Sequence, residues 1–172
     1  TYMGHYQPLN WLSYAIDYKF WKLNPVGYRL TSILFYILTC IMVFMTLRHL
    51  SASLREKGTP DSHDRVALFG ALLFAAHPVH VEAVTWLAAR KEVLQGFFFF
   101  SAFYLYLRGR EEENKKKIIY LSLGLFSILL AILSKPSAVV FPAVILVYEI
   151  AQGKERWIDF IKRHWLFIFL SV

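Results

Sequence analysis

Long windows almost free of charge constrain this chain more than any other feature. Leu30 to Leu47, Val93 to Leu107, Ile118 to Leu133 and Ala138 to Ile150 are each too apolar to face water for their whole length. Val66 to Ala76 is a shorter fifth window, and a sixth begins at Trp165 and continues to Val172. A helix needs about 20 predominantly apolar residues to cross the hydrocarbon layer, and flanking aromatics bring the complete windows towards that length. Overall 57% of residues are hydrophobic and 18% charged, which is far from a soluble domain of this size. The expected fold is therefore all-α, a polytopic transmembrane helical bundle. Its spans are predicted at 28–50, 66–77, 78–107, 118–133 and 137–150, with 165–172 starting a further one. The chain opens without Met in a polar, aromatic stretch and stops inside an apolar run. It reads as a fragment of one transmembrane domain, with no visible targeting segment.

Basic residues orient the bundle. The loops Arg48 to Arg65, Arg108 to Lys117 and Lys154 to Arg163 hold 13 of the 19 lysines and arginines, and the alternate set holds 6. The positive-inside rule makes the first set cytoplasmic, including Lys57, Lys116 and Lys162. His80 and Lys135 then face the outer or lumenal side of a bacterial inner membrane or an endoplasmic reticulum membrane. The net charge of +7 follows from this bias and does not point to nucleic acid, because the basic groups are scattered over membrane-flanking loops.

Residues 1–27 are expected to form an outer interfacial segment. From Pro8 to Trp21, the residues Leu9, Leu12, Ile16 and Phe20 recur at helical spacing with Trp11, Tyr14, Tyr18 and Trp21 alongside. Asp17, Lys19 and Lys22 interrupt this stretch, so it suits the headgroup level rather than a span, and Asp17 is explained by a polar surface face. Asn24-Pro25-Val26-Gly27 ends it. Cys40 sits inside an apolar window and is read as packing.

The stretch Ala76 to Glu92 is the candidate site. It places His77, His80, Glu82, Arg90, Lys91 and Glu92 where a membrane chain turns around, and ionisable groups there are expensive unless they function. Pro78 is expected to open one helix running from Val79 through Leu107. Glu82, Trp86 and Arg90 would then share a ridge, leaving Arg90 and Lys91 available for an external anion. Lys135, in Ser134-Lys135-Pro136-Ser137, is either a snorkelling lysine or a third cation of a phosphate pocket. His77 and His80 lack the further ligands of a metal site, so hydrogen-bonded helix-entry histidines are the simpler reading; a metal is possible but not evident.

An ordered set of motifs carries a resemblance. Tyr6-Gln7-Pro8-Leu9, Leu23-Asn24-Pro25-x-Gly27-Tyr28, His77-Pro78-x-His80-x-Glu82-Ala83-Val84-x-Trp86, Arg90-Lys91-Glu92 and Leu133-Ser134-Lys135-Pro136 look like bacterial tetratricopeptide-repeat (TPR) membrane proteins. These resemble the transmembrane-and-tetratricopeptide-repeat O-mannosyltransferases of the GT-C glycosyltransferase class. Gln7 stands where that pattern more often has arginine, and Arg29 and Ser32 stand where it commonly has histidine and asparagine. The resemblance implies an integral membrane transferase that moves a sugar from a polyprenyl-phosphate carrier to an acceptor hydroxyl, in protein O-glycosylation. Its partners would be the bilayer, the lipid-linked donor and a protein or other hydroxyl acceptor. Donor-phosphate contacts would come from Arg90, Lys91 and Lys135, with His77, His80, Glu82 and Trp86 lining the pocket. The catalytic acid is expected upstream of these residues and the repeats downstream, so the fragment alone is expected to be inactive. The alternatives are a transporter or lipid-handling module, whose binding groups would lie nearer the midplane, and a non-catalytic membrane scaffold.

Overall fold

A computed structural model describes residues 7–54 and 59–152. Tyr6, Lys57, Lys162 and the apolar run 165–172 therefore lie outside the described residues. Within them the chain forms helices α1 (Pro8–Trp21), α2 (Pro25–Leu54), α3 (Pro60–Ala76), α4 (Val79–Thr85), α5 (Arg90–Glu111), α6 (Asn114–Ser134) and α7 (Phe141–Ala151). Short 3₁₀ turns, Leu87–Ala89 and Pro136–Val140, precede α5 and α7. The fold is an all-α membrane bundle, with no strand among the described residues. By length and composition α2 and α6 can each cross a bilayer, and α3 with α4 makes a third candidate bent by 63°.

Proline sets several of the breaks. The residue before proline is pushed out of the helical region by the ring, and His77 and Lys135 both adopt extended backbone before Pro78 and Pro136. Asn24 plays a related part before Pro25, its Oδ1 accepting from the Val26 amide at 3.0 Å. Thr59, extended before Pro60, caps α3 through its side chain.

Helix α5 is the axis of the bundle. It packs antiparallel to α6, where Gly124 lies against the Ala102 carbonyl, and alongside α2, where Gly96 meets Thr39. Small residues at such seams let helices approach closely when lipid removes the hydrophobic drive for association. Ala102, Phe103, Tyr106 and Leu107 of α5 form the core with Ile128 and Ala131 of α6 and Phe141 and Ile145 of α7. Polar contacts gather at the two ends. At the lower end Arg48 pairs with Asp64, while Glu149 accepts from Tyr106 at 2.7 Å and lies 3.0 Å from Arg110. The upper end holds α1, α4, the start of α5 and Lys135.

Helix α1 is amphipathic, and its polar stripe is the covered one. Asn10 and Asp17 are buried, with Ser13 and Tyr14 partly covered beside them, whereas Leu12, Ile16 and Phe20 face outward. The stripe of Leu12, Ile16 and Phe20 is thus the lipid-side face, and the polar stripe packs onto the bundle. The expectation that Asp17 belongs to a solvated surface is overturned, since only 4% of the residue is exposed. Gly27 makes this docking possible: a Cβ there would lie 2.1 Å from Trp21 Cγ and 2.7 Å from Trp21 Cβ. Those atoms lie near the backbone of α1, so the helix itself would have to move. We expect Gly27→Ala to destabilise the domain by about 1–3 kcal/mol, the usual cost of overpacking, in a detergent melting experiment. An unchanged melting point would show that α1 does not dock this closely.

Candidate functional site

The polar turn is built differently from one continuous helix. Pro78 does open a helix, but α4 ends at Thr85, and Trp86 adopts extended backbone with ψ 116°. A 3₁₀ turn then leads into α5 at Arg90. Glu82, Trp86 and Arg90 therefore do not share a ridge, and the helix expected from Val79 to Leu107 is two helices. A contact from α1 accompanies the break: the Tyr14 hydroxyl donates to the Leu87 carbonyl. Burial pushes the Tyr14 phenol above its ordinary pKa against the opposing pull of Arg90, which keeps the hydroxyl a donor.

The two histidines hold the entry to α4. His77 Nδ1 accepts from the Val79 amide at 3.3 Å. His80 Nδ1 lies 2.8 Å from the Phe74 carbonyl, which can only accept, so Nδ1 is the donor of this contact. Both are hydrogen-bonded helix-entry histidines.

Arg90 is where the structure departs furthest from expectation. It is fully buried, not available to an external anion. Its Nη1 pairs with Asp17 Oδ2, its Nη2 donates to the Tyr28 carbonyl at 2.5 Å, and its Nε donates to Ser32 Oγ at 3.2 Å. Thr31 donates to the second Asp17 oxygen at 2.9 Å, and the guanidinium lies 4.7 Å from the Tyr14 ring centroid. A guanidinium needs its fork free to grip two phosphate oxygens, and here the fork is taken by the protein. Arg90 therefore offers no free fork to a donor phosphate.

Four of the other predicted residues, His80, Glu82, Trp86 and Lys91, converge. A cavity of about 540 Å³ opens at the upper end between α2, α3, α4 and the start of α5. His80, Glu82, Trp86, Lys91 and Glu92 line its polar part, and Tyr36, Phe74 and Val93 contribute to the apolar remainder. His77 sits beside this wall, its ring 5.8 Å from that of His80, without lining the cavity. Lys135 also stands outside it, held by Glu92 at 2.7 Å to Oε1 and 2.5 Å to Oε2. Gln95 donates to Ser137 at 3.0 Å, a second tie between α5 and the turn before α7. Of the three cations read as phosphate ligands, Lys91 is the one that reaches the cavity.

Sequence reasoning missed Asp17, Tyr14 and the acidic partner of Lys135. Asn10, Ser13, Tyr14 and Asp17 do stand at i, i+3, i+4 and i+7, a polar stripe as regular as the apolar one beside it. That stripe was the available signal.

Comparison with known proteins bears on this arrangement. A family profile described as Dolichyl-phosphate-mannose-protein mannosyltransferase matches residues 1–171. The chain is 30% identical over 150 residues to Protein O-mannosyl-transferase TMTC3 of Homo sapiens, covering 86% of this chain and 15% of that protein. It is likewise 30% identical over 159 residues to Protein O-mannosyl-transferase Tmtc3 of Drosophila melanogaster, covering 84% of this chain and 17% of the relative. For Protein O-mannosyl-transferase TMTC4 of Homo sapiens the identity is 30% over 171 residues, with 92% and 22% covered. The chain thus spans about a fifth or less of the length of these relatives. No solved structure matches it. With residues 1–171 matched end to end and a bundle of the expected class, the chain belongs to the dolichyl-phosphate-mannose-protein mannosyltransferase family.

Proposed function

We propose that the full-length protein is a GT-C-type, multi-spanning membrane glycosyltransferase. In this reading it transfers mannose from a polyprenyl-phosphate carrier to a protein hydroxyl at the outer or lumenal face. The observation that carries the reading is the composition of the upper cavity: ionisable groups on one part of its wall and apolar side chains of α2, α3 and α5 on another. A lipid-phosphate sugar has the same division, with a charged phosphate and polar sugar at the end of a hydrocarbon chain. Lys91 meets the phosphate by charge, Tyr36, Phe74 and Val93 accommodate the first prenyl carbons, and His80, Glu82 and Trp86 contact the sugar.

In the reaction the acceptor oxygen forms a bond to the anomeric carbon as the bond from that carbon to the phosphate oxygen breaks. The electron pair leaves with the lipid phosphate, and the hydroxyl proton goes to a base. Positioned positive charge lowers the barrier by stabilising the phosphate as its charge grows, which is the role of Lys91. In this reading the general base is an acidic side chain of the full-length protein upstream of these residues, and a soluble repeat array follows downstream.

A steric plug tests the site. Ala88 is exposed and lines the cavity, so Ala88→Trp fills it at little cost to packing. In the full-length protein reconstituted with dolichyl-phosphate-mannose and an acceptor peptide, this variant is expected to lose transfer by about 10-fold or more, as misplacement of a reacting group does, while melting normally. Normal transfer would place the donor elsewhere.

A further inference from the structure

The buried pair between Asp17 and Arg90 does nothing in the transfer chemistry above, yet it ties three helices together at the upper end. Its partners lie 73 residues apart and join α1 to α5. Tyr28 and Ser32 add α2 through the 2.5 Å and 3.2 Å bonds to the same guanidinium. Tyr14, one turn before Asp17, secures the Leu87 carbonyl in the 3₁₀ turn that leads to Arg90. Two residues on one stripe of α1 therefore hold two consecutive points of the segment entering α5.

Such a pair is a poor device for stability alone, because a well-packed apolar replacement is often as stable. It is a good device for direction. Successive residues of an α-helix project about 100° apart, so a side chain pinned into α1 and α2 dictates where the next two point. Those two are Lys91 and Glu92, and both line the cavity.

We propose that Asp17 and Arg90 form a positioning couple, with α1 as a clasp that fixes the first turn of α5 so that Lys91 faces the bound phosphate. The proposal rests on the reading of the cavity as the donor site. Asp17 touches no substrate in this scheme and acts through Arg90.

The test uses the full-length protein in liposomes with dolichyl-phosphate-mannose. Asp17→Asn keeps the shape of the side chain and removes its charge. Lys91 meets the phosphate in the bound donor and more strongly as its charge grows, so misplacing it raises donor KM and lowers kcat together, and we expect kcat/KM to fall about 10-fold. Asp17→Glu, which restores the carboxylate, should recover kcat/KM to within about 3-fold of the parent. A readout independent of turnover is the alkylation rate of a cysteine placed by Lys91→Cys in a Cys40→Ser background. Asp17→Asn should change that rate severalfold. Should Asp17→Asn fail to accumulate, Thr31→Ala removes one hydrogen bond from the same carboxylate and should give the same pattern at smaller amplitude. Unchanged kcat/KM and unchanged alkylation overturn the couple. If instead Lys91→Ala and Ala88→Trp leave donor use intact, the donor-site reading fails, whatever Asp17 does.

Discussion

Arg90→Ala destabilises the upper end of the bundle by about 3–5 kcal/mol, the cost of removing one partner from a buried ion pair. The substitution strips Asp17, whose side chain is 5% exposed, of its counter-charge. It also takes the guanidinium donors away from Ser32 Oγ and from the Tyr28 carbonyl, which keeps the Ser32 hydroxyl at 3.2 Å. Had Arg90 been available to an external anion, as the sequence alone suggested, the variant would stay folded and lose turnover instead. Thermal melting of the purified membrane domain in detergent distinguishes the two. The double variant Asp17→Leu/Arg90→Leu removes both charges and should recover most of the loss, since apolar replacement of a buried pair is often neutral or better. A single Arg90→Ala variant as stable as the parent would mean that water reaches Asp17, and the pair would then not be buried in the bilayer-bound protein.

The helices and the site differ in how far the residues announce them. Absence of charge located α2 and α6, and the X-Pro steps at Asn24-Pro25, His77-Pro78 and Lys135-Pro136 marked real breaks. The break at Trp86 had no such mark, because no proline or glycine lies between Val79 and Gln95. It coincides with tertiary contacts, from Tyr14 to Leu87 and from Asp17 to Arg90, that no local pattern contains. The burial of Asp17 was missed for a related reason. In water the stripe of Leu12, Ile16 and Phe20 would turn inward, but lipid is as apolar as leucine and offers no drive to bury it. The polar stripe turns inward instead, where partners exist. His80, Glu82, Trp86 and Lys91 were legible because ionisable and aromatic groups beside a membrane span stand out. Tyr36 and Phe74, which complete the cavity, look like any other residues of an apolar helix.

Lys91→Ala should lower transfer by the full-length protein about 100-fold in kcat/KM, the scale on which one preorganised electrostatic contact to a developing anion acts. The choice of Lys91 over its neighbours is structural. Arg90 is consumed by Asp17, and Lys135 is held by both oxygens of Glu92. Lys91 lines the cavity and is partly exposed, so its loss removes charge from the site without breaking a buried pair, and melting should change little. Lys91→Arg retains the charge and should keep most of the activity. Glu92 supplies an effect of opposite sign at the same site. Its carboxylate lines the cavity and occupies Lys135, so it opposes a bound phosphate both by repulsion and by engaging a cation. Glu92→Gln should lower donor KM, provided the variant melts near the parent. Measuring donor KM for Lys91→Ala and Glu92→Gln side by side separates phosphate recognition from general damage, because damage raises KM in both. Two variants moving in opposite directions would identify this end of the cavity as the phosphate end. Normal kcat/KM in Lys91→Ala would remove Lys91 from the reaction and turn attention to the sugar-facing wall formed by His80, Glu82 and Trp86.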